Sequence, residues 1–386
     1  MDHTKITEKK SSLNKTKFDA KMYTMIIALI SIWVIFAIAT KGNFLTARNI
    51  SNLIRQMSTT GVLAIGMVFV IISGEIDLSV GSLLGLLGGI AAILNVWFEL
   101  NAFIVIIITL LIGAIFGLWN GYWVAYKKVP SFIVTLAGML VFRGLLIGIS
   151  KGLTIAPLSS GLRAVGQLYL PIAMGYLIAA AVICGSIFMM LRVRKSQIEH
   201  GLEVPSMKKE VAKMVGIAAL VIVFTVVLNS YRGIPLPVFI MLVLGGVFGC
   251  ISLSTVFGRR IYAIGGNIEA AKLSGINVSK TKLIIYVVNG MLVAVAGILL
   301  TSRLNAASVS AGTNAELDAI AACVIGGTSM MGGAGSVGGA LVGALVMASI
   351  DNGMSILNTP PFWQFIVKGM ILLIAVWVDI SSKNKK

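Results

Sequence analysis

Charge is scarce in this chain, and acidic charge scarcest: 12% of its 386 residues are charged, with 14 Asp and Glu against 31 Lys and Arg. So few charges, beside 58% hydrophobic residues and a mean hydropathy of +0.98, exclude a soluble globular domain and point to a polytopic membrane protein. The three cysteines, Cys184, Cys250 and Cys323, sit singly in apolar runs without CxxC spacing, which suggests neither a disulfide framework nor a metal site. Only His3 and His200 are histidines, so there is no HExxH. No glycine precedes a lysine, so the GxxxxGK[ST] phosphate loop is absent and the chain is not expected to hydrolyse ATP. No nucleophile elbow is expected, and too little soluble chain remains for a catalytic domain.

What is present is apolar sequence in span-length runs. They fall at about 23–40, 53–73, 78–98, 102–125, 131–150, 168–191, 214–230, 237–256, 283–302, 336–357 and 362–379, most of them within the roughly 17–25 residues a membrane helix needs. A shorter piece, Leu317 to Met331, reads as a full crossing or a re-entrant half-helix. No small-residue cleavage site follows the first run, which reads as an uncleaved helix. The basic residues fix the expected orientation. Segments 1–21, 127–128, 192–213, 258–282 and 383–386 carry 22 Lys and Arg, whereas the intervening connections carry 7. By the positive-inside rule both termini are cytoplasmic, with about ten to twelve crossings. The net charge of +17 follows this topology, so no nucleic-acid partner is implied. The chain divides into an N-terminal tail (1–21), one permease domain (22–380) and a C-terminal tail (381–386), with cytoplasmic loops at 192–213 and 257–282. Residues 192–213 read as a solvated linker or as added area for a cytoplasmic partner.

An internal echo suggests two related halves. Gly81-Ser82 with Gly85 and Gly89 recurs as Gly335-Ser336 with Gly339 and Gly343, and Val70-Ile71 recurs as Val324-Ile325, all at an offset of 254. Each GxxxGxxxG would place one glycine per turn on a helix face, allowing close helix packing. Ionisable and amide groups inside apolar runs are costly, which makes them candidates for a solute path. Glu75 and Asp77 lie between two runs, where Asp77 can N-cap the next helix or mark a broken-helix region. Trp119, Asn120, Asp318 and Asp351 complete the set. They suit a hydroxyl-rich solute or, equally, hydrogen bonds between helices. Arg143 and Lys368 read as interfacial or snorkelling. No acidic series suggests a proton relay.

The chain's main polar interruption is GRRIYAIGGNIEAAKLSGINV, from Gly258. Its basic residues Arg259, Arg260 and Lys272 alternate with Ile261, Tyr262, Ile264 and Leu273, as in a short amphipathic helix at a membrane surface. Gly275 is placed to end that helix in a left-handed conformation. Glu269-Ala270-Ala271, three residues, then Gly275 resembles the EAA loop of ATP-binding-cassette (ABC) importer permeases, although Val287-Val288 replaces the usual Leu-Pro. Four further stretches strengthen the likeness: FLTARNISNLIRQ from Phe44, GEIDLSVGS from Gly74, LWNGYWVAYKKVPSFIVTLAGM from Leu118 and LDAIAACVIGGTSMMGGAGSVGG from Leu317. Together they resemble the sugar permeases of ribose, xylose, galactose and arabinose ABC importers, the xylose type most closely. The resemblance implies an all-α, type II-like permease in the bacterial inner membrane. It implies a homodimer with separate ATP-binding subunits, which hold the ATP and Mg, and a periplasmic or extracellular sugar-binding protein. Arg259, Arg260, Tyr262, Glu269, Ala270, Ala271, Leu273 and Gly275 would form the coupling element. A standalone secondary carrier remains the alternative from another class, and ribose, galactose or arabinose the alternatives within this one.

Overall fold

Backbone N–H and C=O groups find no water inside a bilayer, so a chain this apolar must satisfy them within its own helices. The computed structural model, which describes residues 25–201, 204 and 206–384, is helical along nearly its whole length. The N-terminal tail and residues 385–386 lie outside the described residues. The helices are α1 (Met25–Ala39), α2 (Ala47–Ile72), α3 (Val80–Val96), α4 (Ala102–Ala125), α5 (Ser131–Ser150), α6 (Ser160–Gln167), α7 (Ile172–Glu199) and α8 (Met207–Asn229). They continue as α9 (Leu236–Ser254), α10 (Val256–Gly266), α11 (Ile268–Leu273), α12 (Val278–Leu304), α13 (Ala315–Ile325), α14 (Val337–Ile356) and α15 (Pro361–Asn384). Among the described residues, nine are long and apolar enough to cross a membrane, and α1 and α3 are shorter apolar helices.

Two helices form the centre. α2 is buried along most of its length and packs against α9, α12, α13 and α14, while α12 packs against α2, α3 and α4. Among the described residues α4 and α12 share the most extensive helix contact, and glycine makes it close. A Cβ on Gly290 would lie 2.2 Å from the carbonyl oxygen of Gly113, and one on Gly117 would lie 2.3 Å from that of Tyr286. Gly113, Gly117 and Gly121 are a further GxxxGxxxG ridge beside the two echoing ones. It brings two backbones into contact, where only glycine leaves room.

Several expectations change. α13 has 11 residues, about 16 Å of helix against a hydrocarbon core of roughly 30 Å, so it does not cross by itself. Segment 192–213 is largely helical: α7 and α8 extend into it as a hairpin, joined by the Arg194–Glu210 ion pair. α15 runs through Asn384, so the expected tail begins as helix. The echo at a constant offset does not mark equivalent positions. Gly81, Gly85 and Gly89 lie in α3, but Gly335 stands in the loop before α14, leaving Gly339 and Gly343 alone on the second helix. The second break is also longer, because α13 ends at Ile325 and α14 starts at Val337, whereas α2 ends at Ile72 and α3 starts at Val80. The chain does spell a GxSxG string, Gly148 to Gly152, but it closes α5. Ser150 there is buried and donates to the carbonyl of Ile147 at 3.4 Å, with no strand-to-helix elbow.

Candidate functional site

α2, α11 and α13 end in the same way, and the glycines that end them define the site. Gly74 (φ 83°), Gly275 (φ 78°) and Gly327 (φ 87°) adopt the left-handed conformation. In each case the next residue's N–H turns back to the helix: Glu75 to Val70 O at 3.1 Å, Ile276 to Ala271 O at 3.1 Å and Thr328 to Cys323 O at 2.9 Å. Paired with the bond from each glycine's own N–H, this is the Schellman arrangement, which satisfies the last carbonyls of a helix.

The break after α2 is a buried polar knot. Asp77 is 2% exposed. Its Oδ1 accepts from the Ser79 N–H at 2.9 Å and the Ser79 hydroxyl at 2.6 Å, and its Oδ2 accepts from Asn289 Nδ2 of α12 at 2.9 Å. Asn120 Nδ2 of α4 donates to Ser79 Oγ at 3.0 Å. Asp77 therefore does not N-cap α3; Ser79 holds that position, and the carboxylate turns the chain into it. Two residues earlier, Glu75 pairs with Lys282 near the start of α12, each about 85% covered. Of the predicted path residues, Glu75, Asp77 and Asn120 come together here. Trp119 does not: it faces outward from α4, edge-on to Trp123. Ser79 and Asn289 were not singled out from the sequence, and Lys282 was read only among the basic residues of 258–282; the structure puts Lys282 and Asn289 seven apart on one face of α12.

Asp318 and Asp351 form a second cluster. Lys368 Nζ lies 2.9 Å from a carboxylate oxygen of each, tying α15 to α13 and α14. The expectation of a snorkelling Lys368 is thus overturned, because the ammonium has two carboxylates within reach and no need of the interface. A cavity of about 190 Å³ beside it is lined by Asn314, Leu317, Asp318, Met347, Phe365 and Lys368, among others. Arg143 is also committed to the interior, donating to the carbonyls of Val309 at 2.6 Å and Ala311 at 3.0 Å.

The glycine ridges pack against different neighbours. A Cβ at Gly81 or Gly85 would lie 2.5 Å from the carbonyl oxygen of Gly312 or Ala311, and one at Gly89 2.5 Å from Leu146. Gly339 and Gly343 abut the carbonyl oxygens of Gly326 and Ala322, and Gly335 abuts Thr328.

The polar stretch is two helices meeting at Asn267 rather than one. Asn267 caps α11, its Oδ1 accepting from the Ala270 N–H at 2.9 Å. Arg259, Arg260, Glu269, Ala270, Lys272, Leu273 and Gly275 are exposed, with Leu273 fully 90% so, and Glu269 pairs with Lys272 at 2.7 Å. Ile261, Ile264 and Ala271 are buried. Ala271 and the Tyr262 hydroxyl thus hold the stretch to the bundle instead of facing outward. Tyr262 OH donates to Gly335 O at 2.9 Å and lies 2.8 Å from Ser252 Oγ. Gly265 packs on the carbonyl of Ile72, to which Gly333 donates its N–H at 2.9 Å. Both helix breaks therefore meet at α10.

A family model described as branched-chain amino acid transport system / permease component matches residues 49–376. The chain belongs to this family of transport permeases. The xylose transport system permease protein XylH of Haemophilus influenzae is 56% identical over 365 residues, covering 95% of this chain and 97% of that protein. XylH of Escherichia coli K12 is 54% identical over 367 residues, 95% and 93% of the two chains. The ribose import permease protein RbsC of Haemophilus influenzae is 37% identical over 361 residues, 93% and 94%. Among solved structures there is no match. Family and helices together make this permease a multi-pass membrane protein.

Proposed function

We propose that the chain is the membrane-spanning subunit of an ABC importer that moves D-xylose into the cell. The observation that carries the reading is identity of 54–56% with xylose permeases over nearly the full length, against 37% with a ribose permease. Two copies enclose the path in the inner membrane, with termini in the cytoplasm. ATP and Mg are held by separate ATP-binding subunits, and a periplasmic or extracellular sugar-binding protein delivers the substrate.

The exposed face of α10 and α11 docks on the ATP-binding subunit. Its cations, the Glu269–Lys272 pair and protruding Leu273 form a compact mixed surface, while the buried side rests on both helix breaks. ATP drives transport by favouring one arrangement of the ATP-binding subunits, and a ligand shifts such a balance only as far as it distinguishes the two states. The substrate assignment is tested by competition. In cells carrying the complete importer, unlabelled xylose should displace labelled xylose uptake at far lower concentration than ribose, galactose or arabinose. Equal displacement by ribose would contradict it.

A further inference from the structure

α12 holds the break between α2 and α3 at two heights. Lys282 and Asn289 are separated by seven residues, two helical turns, and so share a face. Lys282 pairs with Glu75, and Asn289 donates to Asp77 at 2.9 Å, so both anchors fall on one short loop. A single bond lets a loop pivot; two bonds a pair of turns apart fix its tilt against the helix axis. The lower anchor is also the nearer to the polar stretch. Residues 274–277 alone separate α11 from α12, and Lys282 lies in the opening turns of α12.

Burial tells what the ion pair contributes. Lys282 and Glu75 retain 13% and 15% side-chain exposure. At that depth the cost of desolvating two charges offsets much of their attraction, so the pair adds little net stability, yet losing one partner leaves an uncompensated charge. Such a contact constrains geometry more than it glues. From it a continuous polar run leads inward: Glu75 to Asp77 along the loop, Asp77 to Ser79, and Ser79 to Asn120 on α4. α10 reaches the same loop from its other side, through Gly265 on the carbonyl of Ile72.

We propose that Glu75 and Lys282 are the positioning residues through which movement of α10–α11 is passed to the α2–α3 break: the pair makes the break follow α12. The proposal rests on the reading of α10–α11 as the surface that the ATP-binding subunits move, and the experiment separates the two.

The complete importer, with permease, ATP-binding subunits and binding protein, is reconstituted in liposomes, and xylose uptake and ATP hydrolysis are measured together. Glu75→Gln and Lys282→Met should each lower xylose imported per ATP by about tenfold or more, within the usual range of coupling between sites, while hydrolysis continues. The exchanged pair, Glu75→Lys with Lys282→Glu, should recover most of the ratio, as coupled residues do in a double-mutant cycle. If Lys282→Met fails to assemble, Lys282→Arg should keep the wild-type ratio and Glu75→Asp, its carboxylate one methylene shorter, should lower it. An unchanged ratio in both single variants, or uptake and hydrolysis falling in parallel in an assembled complex, would overturn the proposal. Wild-type uptake that needs no ATP would instead defeat the importer reading itself.

Discussion

Lys368 ties α13, α14 and α15 together electrostatically. Its ammonium stands 2.9 Å from oxygens of both Asp318 and Asp351. Lys368→Met would leave Asp318 and Asp351 without their shared counter-charge; breaking a fully buried arrangement from one side costs about 3–5 kcal/mol, and the third of the Asp351 side chain that stays exposed makes the loss smaller here. Thermal unfolding of the purified permease should show a marked drop for Lys368→Met. Neutralising the carboxylates as well, with Asp318→Asn and Asp351→Asn, should restore most of it. A Lys368→Met variant as stable as the parent would mean that the three charges are solvated independently. These residues also show how much of a site the sequence can reveal. That Asp318 and Asp351 are exceptional was readable from their apolar surroundings, but their shared partner lay 17 residues beyond Asp351 on another helix. Only the fold could supply that pairing.

At the scale of elements, close approach of backbones decides the packing. Gly290 opposes Gly113 and Gly117 where α12 crosses α4. Gly290→Val adds a branched side chain where even a Cβ has no space, and overpacking of this kind costs about 1–3 kcal/mol, more where backbone must shift. Reduced thermal stability of the purified protein should follow, and Gly144→Val, in open space on α5, should leave it unchanged. Helix placement was legible from hydropathy because spans need long apolar runs. The breaks were less so, since hydropathy does not register where a Schellman turn stops a helix. An offset of 254 in matching letters therefore aligned Gly81 in a helix with Gly335 in a loop. The polar stretch was legible as amphipathic, and Gly275 as its left-handed end, but the kink at Asn267 was hidden inside an unbroken polar run. Gly275→Pro tests that element. Proline holds φ near −65° and has no N–H, whereas Gly275 has φ 78° and donates to Lys272 O at 2.9 Å. Uptake should fall to background in Gly275→Pro, and also in Glu269→Lys, while membrane insertion stays intact. Normal uptake by a well-expressed Gly275→Pro variant would remove α11 as the coupling element.

For the whole molecule, the fold places two polar interruptions of helix, residues 73–79 and 326–336, against one surface helix, α10. A displacement of α10 would thus reach both interruptions at once. That geometry suits a permease driven by a separate ATP-binding subunit and offers a standalone carrier no use for the exposed α10–α11 face. The decisive measurement is xylose uptake in liposomes holding the permease, its ATP-binding subunits and its binding protein, with each component and ATP omitted in turn. Accumulation is expected only when all are present. Accumulation by the permease alone would contradict it and make the chain a carrier in its own right.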